Sequence, residues 1–222
     1  MLRTRILTNC YALILLGTPV FTLNGFCDSQ KPLFSSPLDC VVHFSPTSTG
    51  IYLGSPSLVR LPNGDLLASM DMFGPHAPLT PEKQEKMGLI FRSVDDGQTW
   101  RFLAEIPGCH WANLFVHRGV LYLLGCSTDY GSIVIRKSDD NGQTWTQPLD
   151  AKTGLLFPAG PGRTPPNYHG APMPVIEHGG RLFRAFENNV ERLWPQGFRA
   201  AVISAPADAD LLDASSWTMS EE

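Results

Sequence analysis

"SVDDGQTW", residues 93–100, and "SDDNGQTW", residues 138–145, write one pattern, Ser-x-Asp-x-Gly-x-Thr-Trp, twice in a chain of 222 residues. The second copy starts 45 residues after the first (138 − 93). Each position has a local physical task. Asp accepts hydrogen bonds from turn N–H groups. Gly supplies the positive φ of a tight hairpin. The Ser and Thr hydroxyls tie the two strand ends together. Trp offers a large apolar ring to a neighbouring sheet. The octapeptide therefore reads as a hairpin clasp, a folding device rather than a chemical site.

Its surroundings repeat as well. Before the first copy come "PSLVRL", the turn "PNGD", the run "LLASMDMF", the polar segment "GPHAPLTPEKQEK" and "MGLIFRS"; "WRFLAEI" follows the clasp. Before the second come "ANLFVH", the turn "RG", "VLYLLGCS", the loop "TDYG" and "SIVIRKS"; "WTQPL" follows it. A third unit begins with "APMPVIE", "HGG", "RLFRAFE", "NNVERLWPQG" and "FRAAVISA", after which "PADADLLDASSW" replaces the short clasp, with Trp217 at the equivalent tryptophan position. Units of four short antiparallel strands, ~40–50 residues each, predict propeller blades. The blades are expected at residues 40–107, 108–150 and 165–222. A jelly roll or sandwich is the competing all-β architecture, but it does not predict the same turn at the same point of successive units. Three blades do not close a ring, so the expectation is an incomplete propeller whose closure needs further blades or another chain.

Composition agrees with this class. The chain is 43% hydrophobic, its formal net charge is −4, and Gly and Pro are abundant. No basic stripe points to nucleic acid. No Gly-rich phosphate loop or His/Cys ligand cluster points to a cofactor or metal, so none is expected. Arg3 and Arg5 followed by "YALILLGTPVF" read as a signal peptide over 1–27, with Gly25 and Cys27 as the small residues before the cut and a secreted or periplasmic product. An uncleaved membrane anchor is the alternative, and no other segment implies a membrane partner. Cleavage leaves Cys40, Cys109 and Cys126, which permits one disulfide or three small buried residues.

The two clasps match the Asp-box, or BNR repeat, at every defining position. With "SPSLVRLPNGDLLAS", "LFVHRGVLYLLG" and "HGAPMPVIEHGGRLFRAFE", the chain resembles the sialidase-like (neuraminidase) superfamily of six-bladed β-propellers. It looks like the N-terminal half of a secreted bacterial sialidase-like protein. The resemblance implies an arginine triad for the substrate carboxylate, an Asp acid/base and a Tyr nucleophile activated by Glu. Planar guanidinium groups suit a carboxylate. The sequence departs from that pattern. "YLGSPSLV" puts Gly54 or Ser55 where the first triad arginine stands, and Arg60 does not fill that position. In "SMDMFG", Asp71 aligns with an acidic residue, but Phe73 replaces an arginine. The remaining triad residues and the Tyr are expected in blades beyond these three.

Topology selects a face. The clasps are turns between third and fourth strands, so the loops between second and third strands and the connections between units share the opposite rim. Function concentrates on such loops. The expected catalytic residues are Asp71 and Glu187, each at the end of an inward strand. The expected substrate-binding residues are His76, Trp111, Asn113, Asp129, Tyr130, Arg163, Tyr168 and His169, with Asn167, Asn188, Glu191 and Arg192 nearby. Aromatic rings for sugar faces and carboxylates, amides and Arg for polar groups suit a glycan ligand. The resemblance implies an exo-glycosidase acting on sialic acid or another acidic sugar, with Asp71 as acid/base and Arg163 on the sugar carboxylate. A non-catalytic carbohydrate-binding propeller is the alternative.

Overall fold

The apolar runs become three antiparallel sheets. The structure, a computed structural model, describes residues 40–81, 84–171, 173–191 and 193–221. The first sheet contains β1 (Tyr52–Arg60), β2 (Leu66–Phe73), β3 (Met87–Ser93) and β4 (Arg101–Pro107) in sequential order. The second contains β5 (His110–His117), β6 (Val120–Cys126), β7 (Ile133–Ser138) and β8 (Leu155–Phe157), again in order. The third is built from β9 (Tyr168–His169), β10 (Ile176–His178), β11 (Arg181–Asn189), β12 (Phe198–Pro206) and β13 (Thr218–Met219). Up-and-down order within each sheet is the propeller pattern. Residues 1–27 lie outside the described residues.

Both octapeptides close by the same hydrogen bonds. In the first, Ser93 Oγ donates to Asp95 Oδ1 (2.7 Å) and accepts from Gly97 N–H (2.8 Å). Asp95 also accepts from Thr99 N (2.9 Å) and Thr99 Oγ1 (2.5 Å), and Trp100 Nε1 donates to Gly97 O (3.0 Å). In the second, Asp140 takes Ser138 Oγ at 2.9 Å, Thr144 N at 2.8 Å and Thr144 Oγ1 at 2.6 Å, while Trp145 Nε1 reaches Gly142 O at 3.0 Å. These donors hold the Asp95 carboxyl at about 2 and draw that of Asp140 down as well. The third unit substitutes its own closure: Asp213 caps a single 3-10 turn over Ala214–Ser216, and buried Trp217 donates Nε1 to Leu211 O (3.0 Å).

Two strands differ from their expected positions. "WTQPL" is not the fourth strand of the second sheet; β8 lies further along, at Leu155–Phe157. Pro148 has no N–H to give a ladder. The Thr146 carbonyl and Gln147 Oε1 instead accept the guanidinium of buried Arg136, each at 2.9 Å. The first strand of the third sheet is not continuous through "APMPVIE". It is split into β9, which pairs with the far end of β11 (Glu187↔His169), and β10, which pairs with its near end (Ile176↔Phe183). Pro174 interrupts it.

Two apolar clusters bind the sheets to one another. Leu67, Ile90 and Ile106 of the first sheet pack with Leu114, Leu121 and Leu123 of the second. Leu124, Ile133 and Ile135 of the second pack with Leu182, Phe186 and Ile203 of the third. The second clasp reaches into the first interface. Gly142 has φ +89°, and a Cβ there would stand 2.8 Å from Leu67 Cδ1. Gly142→Ala is therefore expected to cost about 2–3 kcal/mol, from left-handed strain plus overpacking. Gly119→Ala, at φ +79° in open space, is expected to cost only the strain, about 1 kcal/mol. Urea midpoints check the pair, and equal costs would refute the interlock. Cys109 and Cys126 are buried free thiols, each pushed up to about 12 by burial.

Candidate functional site

The innermost strands carry matching irregularities. β1 pairs with β2 until the register shifts between Gly54 and Ser57, and β5 pairs with β6 until it shifts between His110 and Asn113. Inside these bulges Ser55 has φ +49° and Trp111 φ +50°. Non-glycine residues rarely adopt this conformation, and a bulge re-aims the side chains it carries. Gly125, on β6 opposite the second bulge, has no room for a Cβ because the Ala112 backbone approaches to 2.7 Å. Gln84, Tyr130 and Arg163 also have positive φ (54°, 58° and 62°). All five of these residues line one of two adjoining clefts on the rim opposite the clasps.

The first cleft, of about 510 Å³, is lined by Gly54, Ser55, Asp71, Phe73, Gly74, Lys86, His110, Trp111 and Asp129. At its floor is an ionic chain. His110 Nδ1 lies 2.8 Å from Asp71 Oδ2, and His110 Nε2 lies 2.9 Å from Asp129 Oδ1. Lys86 Nζ stands 3.3 Å from the other Asp129 oxygen. An imidazole with a carboxylate on each nitrogen is served only as the doubly protonated cation. Burial opposes that charge, but Asp129 and Asp71 together raise the pKa of His110 above its ordinary value. Burial would likewise raise Asp71, yet contact with His110 and the Trp111 N–H (2.8 Å to Oδ2) outweighs it and holds the carboxyl below the usual range. The His110 contact holds Asp129 at about 2. The Ser55 hydroxyl adds to the lowering of Asp71. Oδ1 of this 3% exposed residue is left without a protein partner.

Trp111 is clamped from both ends. Its N–H goes to Asp71, and its carbonyl accepts from Arg184 Nη2 at 2.7 Å. Its ring lies between two imidazoles, 4.2 Å from His110 and 3.9 Å from His169 by centroids. His169 Nδ1 is 2.5 Å from Glu187 Oε2. Asp71 and Glu187 thus stand at opposite ends of a row His110–Trp111–His169.

Of the residues expected from sequence, Asp71, Trp111 and Asp129 meet in the first cleft. Asp129, Tyr130 and Arg163 line the second, of about 340 Å³. His169 packs against Trp111, and Glu187 is bonded to His169. The others lie elsewhere. His76 Nδ1 bonds the Thr49 carbonyl (2.9 Å). Asn113 is buried, with Nδ2 toward Ser57 Oγ at 3.5 Å. Tyr168 is buried in the core beside Phe157, and Asn167 is buried too, its Nδ2 on Asn189 O (3.1 Å). Asn188 Oδ1 accepts from Asn167 N–H (2.8 Å). Arg192 lies outside the described residues. Sequence reasoning missed His110 and Lys86. His110 sits next to Trp111 at the start of β5, where a signal was available; Lys86 ends a polar loop and carried none.

No family model matches the chain, and no protein of curated function aligns with it. Solved structures do. The α-L-arabinanase of Penicillium chrysogenum, solved with arabinobiose, is 24% identical at a TM-score of 0.52, covering 75% of this chain and 48% of that one. The α-L-arabinofuranosidase of Fusarium graminearum, solved with an iminosugar inhibitor, is 16% identical at 0.53, covering 76% and 48%. A family 117 glycoside hydrolase of the marine bacterium Zobellia galactanivorans is 16% identical at 0.52, covering 80% and 58%. The chain spans about half the length of these structures. At such identities the likeness defines the class by fold: an all-β chain of propeller sheets, an architecture these glycoside hydrolases share.

Proposed function

We propose that this chain is a glycan-recognising propeller of the glycoside hydrolase type, with a sugar ring seated in the Asp71 cleft against Trp111. One observation carries the reading: buried Asp71, held through Oδ2 and kept below the usual carboxylate range, lines a sugar-sized cleft together with Trp111 and Asp129. Sugar hydroxyls suit the carboxylates that line the cleft, and a sugar's C–H face suits the indole. Because its carboxyl is held low, Asp71 serves as an acceptor, base or partner for developing positive charge rather than as a proton donor. Hydrolysis then asks a second carboxyl for the proton, and Glu187 is the candidate on this rim.

A binding-only reading is favoured by one specific observation: both carboxylates of the cleft, Asp71 and Asp129, are held low. The sialic-acid reading rests on exposed Arg163 in the second cleft. The test is calorimetric titration of the full chain with arabinobiose, galactobiose and sialyllactose, alongside a reducing-sugar assay. Asp71→Asn is expected to weaken the bound sugar at least ~10-fold, as one charge-assisted hydrogen bond is lost. Unchanged affinity in Asp71→Asn would refute the site. Sugar release that is abolished in both Asp71→Asn and Glu187→Gln selects the enzyme. Binding without release selects the lectin-like alternative, and preference for sialyllactose lost in Arg163→Ala selects the acidic sugar.

A further inference from the structure

Beyond Trp111 the rings do not stop. His169 is 4.9 Å from Phe198 by centroids, and Phe198 is 5.1 Å from Trp194, edge to face at 89°. Tyr130 stands 6.0 Å from His169 and 6.3 Å from Trp111. These side chains come from separate places: Tyr130 from the loop after β6, His169 from the broken first strand of the third sheet, Trp194 from the loop between β11 and β12, and Phe198 from the start of β12. That last loop is braced by Val190 N–H to Gly197 O and Gly197 N–H to Leu193 O, both 2.9 Å. It holds Trp194 at 71% exposure. An indole held this far into water, at the end of a continuous aromatic strip leading from a polar cleft, is an unfilled stacking surface. The strip also has a polar foot, the Glu187 carboxylate on His169, with the Glu187 side chain 43% exposed.

We infer that the strip His169–Phe198–Trp194 is a second sugar subsite, so that the ligand is an oligosaccharide of at least two residues rather than a single sugar. The inference rests on the proposed sugar site in the Asp71 cleft and deepens it. A monosaccharide in that cleft covers Trp111 alone. The next residue of the same glycan continues over His169 toward Trp194, and its hydroxyls meet Glu187. C–H faces on aromatic rings and hydroxyls on a carboxylate make up the recognition, and no charge on the sugar is required there.

The test compares matched mono- and trisaccharides of arabinose and of galactose, with sialyllactose, by calorimetry on the full chain. Wild type is expected to prefer the trisaccharide at least ~10-fold over its monosaccharide, one stacked ring's worth. Trp194→Ala is expected to erase that preference and leave monosaccharide affinity unchanged. Trp194→Tyr, which keeps a stacking face, is expected to retain most of it. Because Trp194 is largely exposed, both variants keep the fold, which circular dichroism checks. Equal losses for mono- and trisaccharide, or no loss in Trp194→Ala, would overturn the subsite while leaving the Asp71 cleft intact. Failure of wild type to bind any of these sugars would sink both readings.

Discussion

Arg184→Met is expected to destabilise the protein by about 2–4 kcal/mol, more than any surface change on this chain, through buried carbonyls that lose their donors. Arg184 is 1% exposed, and its guanidinium lies 4.4 Å over the ring of Phe186. It donates Nη1 to the Leu124 carbonyl and Nη2 to the carbonyls of Trp111 (2.7 Å) and Ala171 (3.5 Å). Burial pushes its pKa down to about 10, so it remains a cation at neutral pH. Methionine replaces much of the stem's packing and removes the cost of burying a charge. It cannot replace the fork, and the Leu124 and Trp111 carbonyls each lose a charged donor. Trp111, held at φ +50°, also loses the tether on its carbonyl and relaxes, so sugar affinity falls with stability. Arg184→Lys keeps the charge but serves fewer acceptors, and an intermediate loss is expected. Urea unfolding with an unchanged m-value measures the loss. A cost under about 0.5 kcal/mol, the range of ordinary surface substitutions, would show that this clamp holds nothing.

The clasp explains why so much of the fold was legible. Ser93 to Trp100 forms its bonds within eight residues, and its copy repeats them, so local chemistry alone predicts a repeated hairpin. The strands on either side follow from apolar runs bounded by Gly, Pro and Asn. Legibility ends where long-range partners decide. "WTQPL" has the pattern of a strand, but Arg136, whose guanidinium also reaches the Pro107 carbonyl at the end of β4, takes the Thr146 carbonyl and the Gln147 side-chain oxygen. The bulges at Ser55 and Trp111 leave no mark in one dimension. Trp111 is bent by a contact 40 residues back, at Asp71, and another 73 residues on, at Arg184. The site was half legible for the same reason. Asp71, Trp111 and Asp129 announced themselves by residue type at loop ends. His110 became informative only once folding placed a carboxylate at each of its nitrogens, and Tyr168, which looked like a ligand residue, turned inward to fill the core.

Reversal of the acid-side pH dependence is the signature expected of His110→Phe. In the wild type, the raised pKa of His110 means that its charged form adds stability fully present below about pH 6.5, the unfolded value. That contribution is lost as pH rises through the higher folded value. The lowered carboxyls act oppositely: Asp71 and Asp129 add stability above about pH 4, the unfolded value, and lose it as pH falls through their folded values, about 2 for Asp129. The ionic chain is therefore at full strength between about pH 4 and 6.5. Phenylalanine occupies the ring's place without a charge. Asp129 keeps Lys86 (3.3 Å) and solvent, but Asp71 keeps only the Trp111 N–H and the lesser Ser55 contact. Burial, already the largest influence on Asp71, then raises its pKa above the unfolded value, so its neutral form becomes the stable one. Stability of the variant should fall as pH rises from about 4 toward 6.5, a range over which the wild type is still flat. At pH 7 the loss is expected to reach about 2–4 kcal/mol, the cost of stranding a buried carboxylate. Adding Asp71→Asn to His110→Phe should restore much of it, because the stranded charge is gone. Urea midpoints for the three proteins at pH 4, 5.5 and 7 decide the matter. A His110→Phe variant whose stability stays level across that range would mean that Asp71 never depended on His110 for its charge.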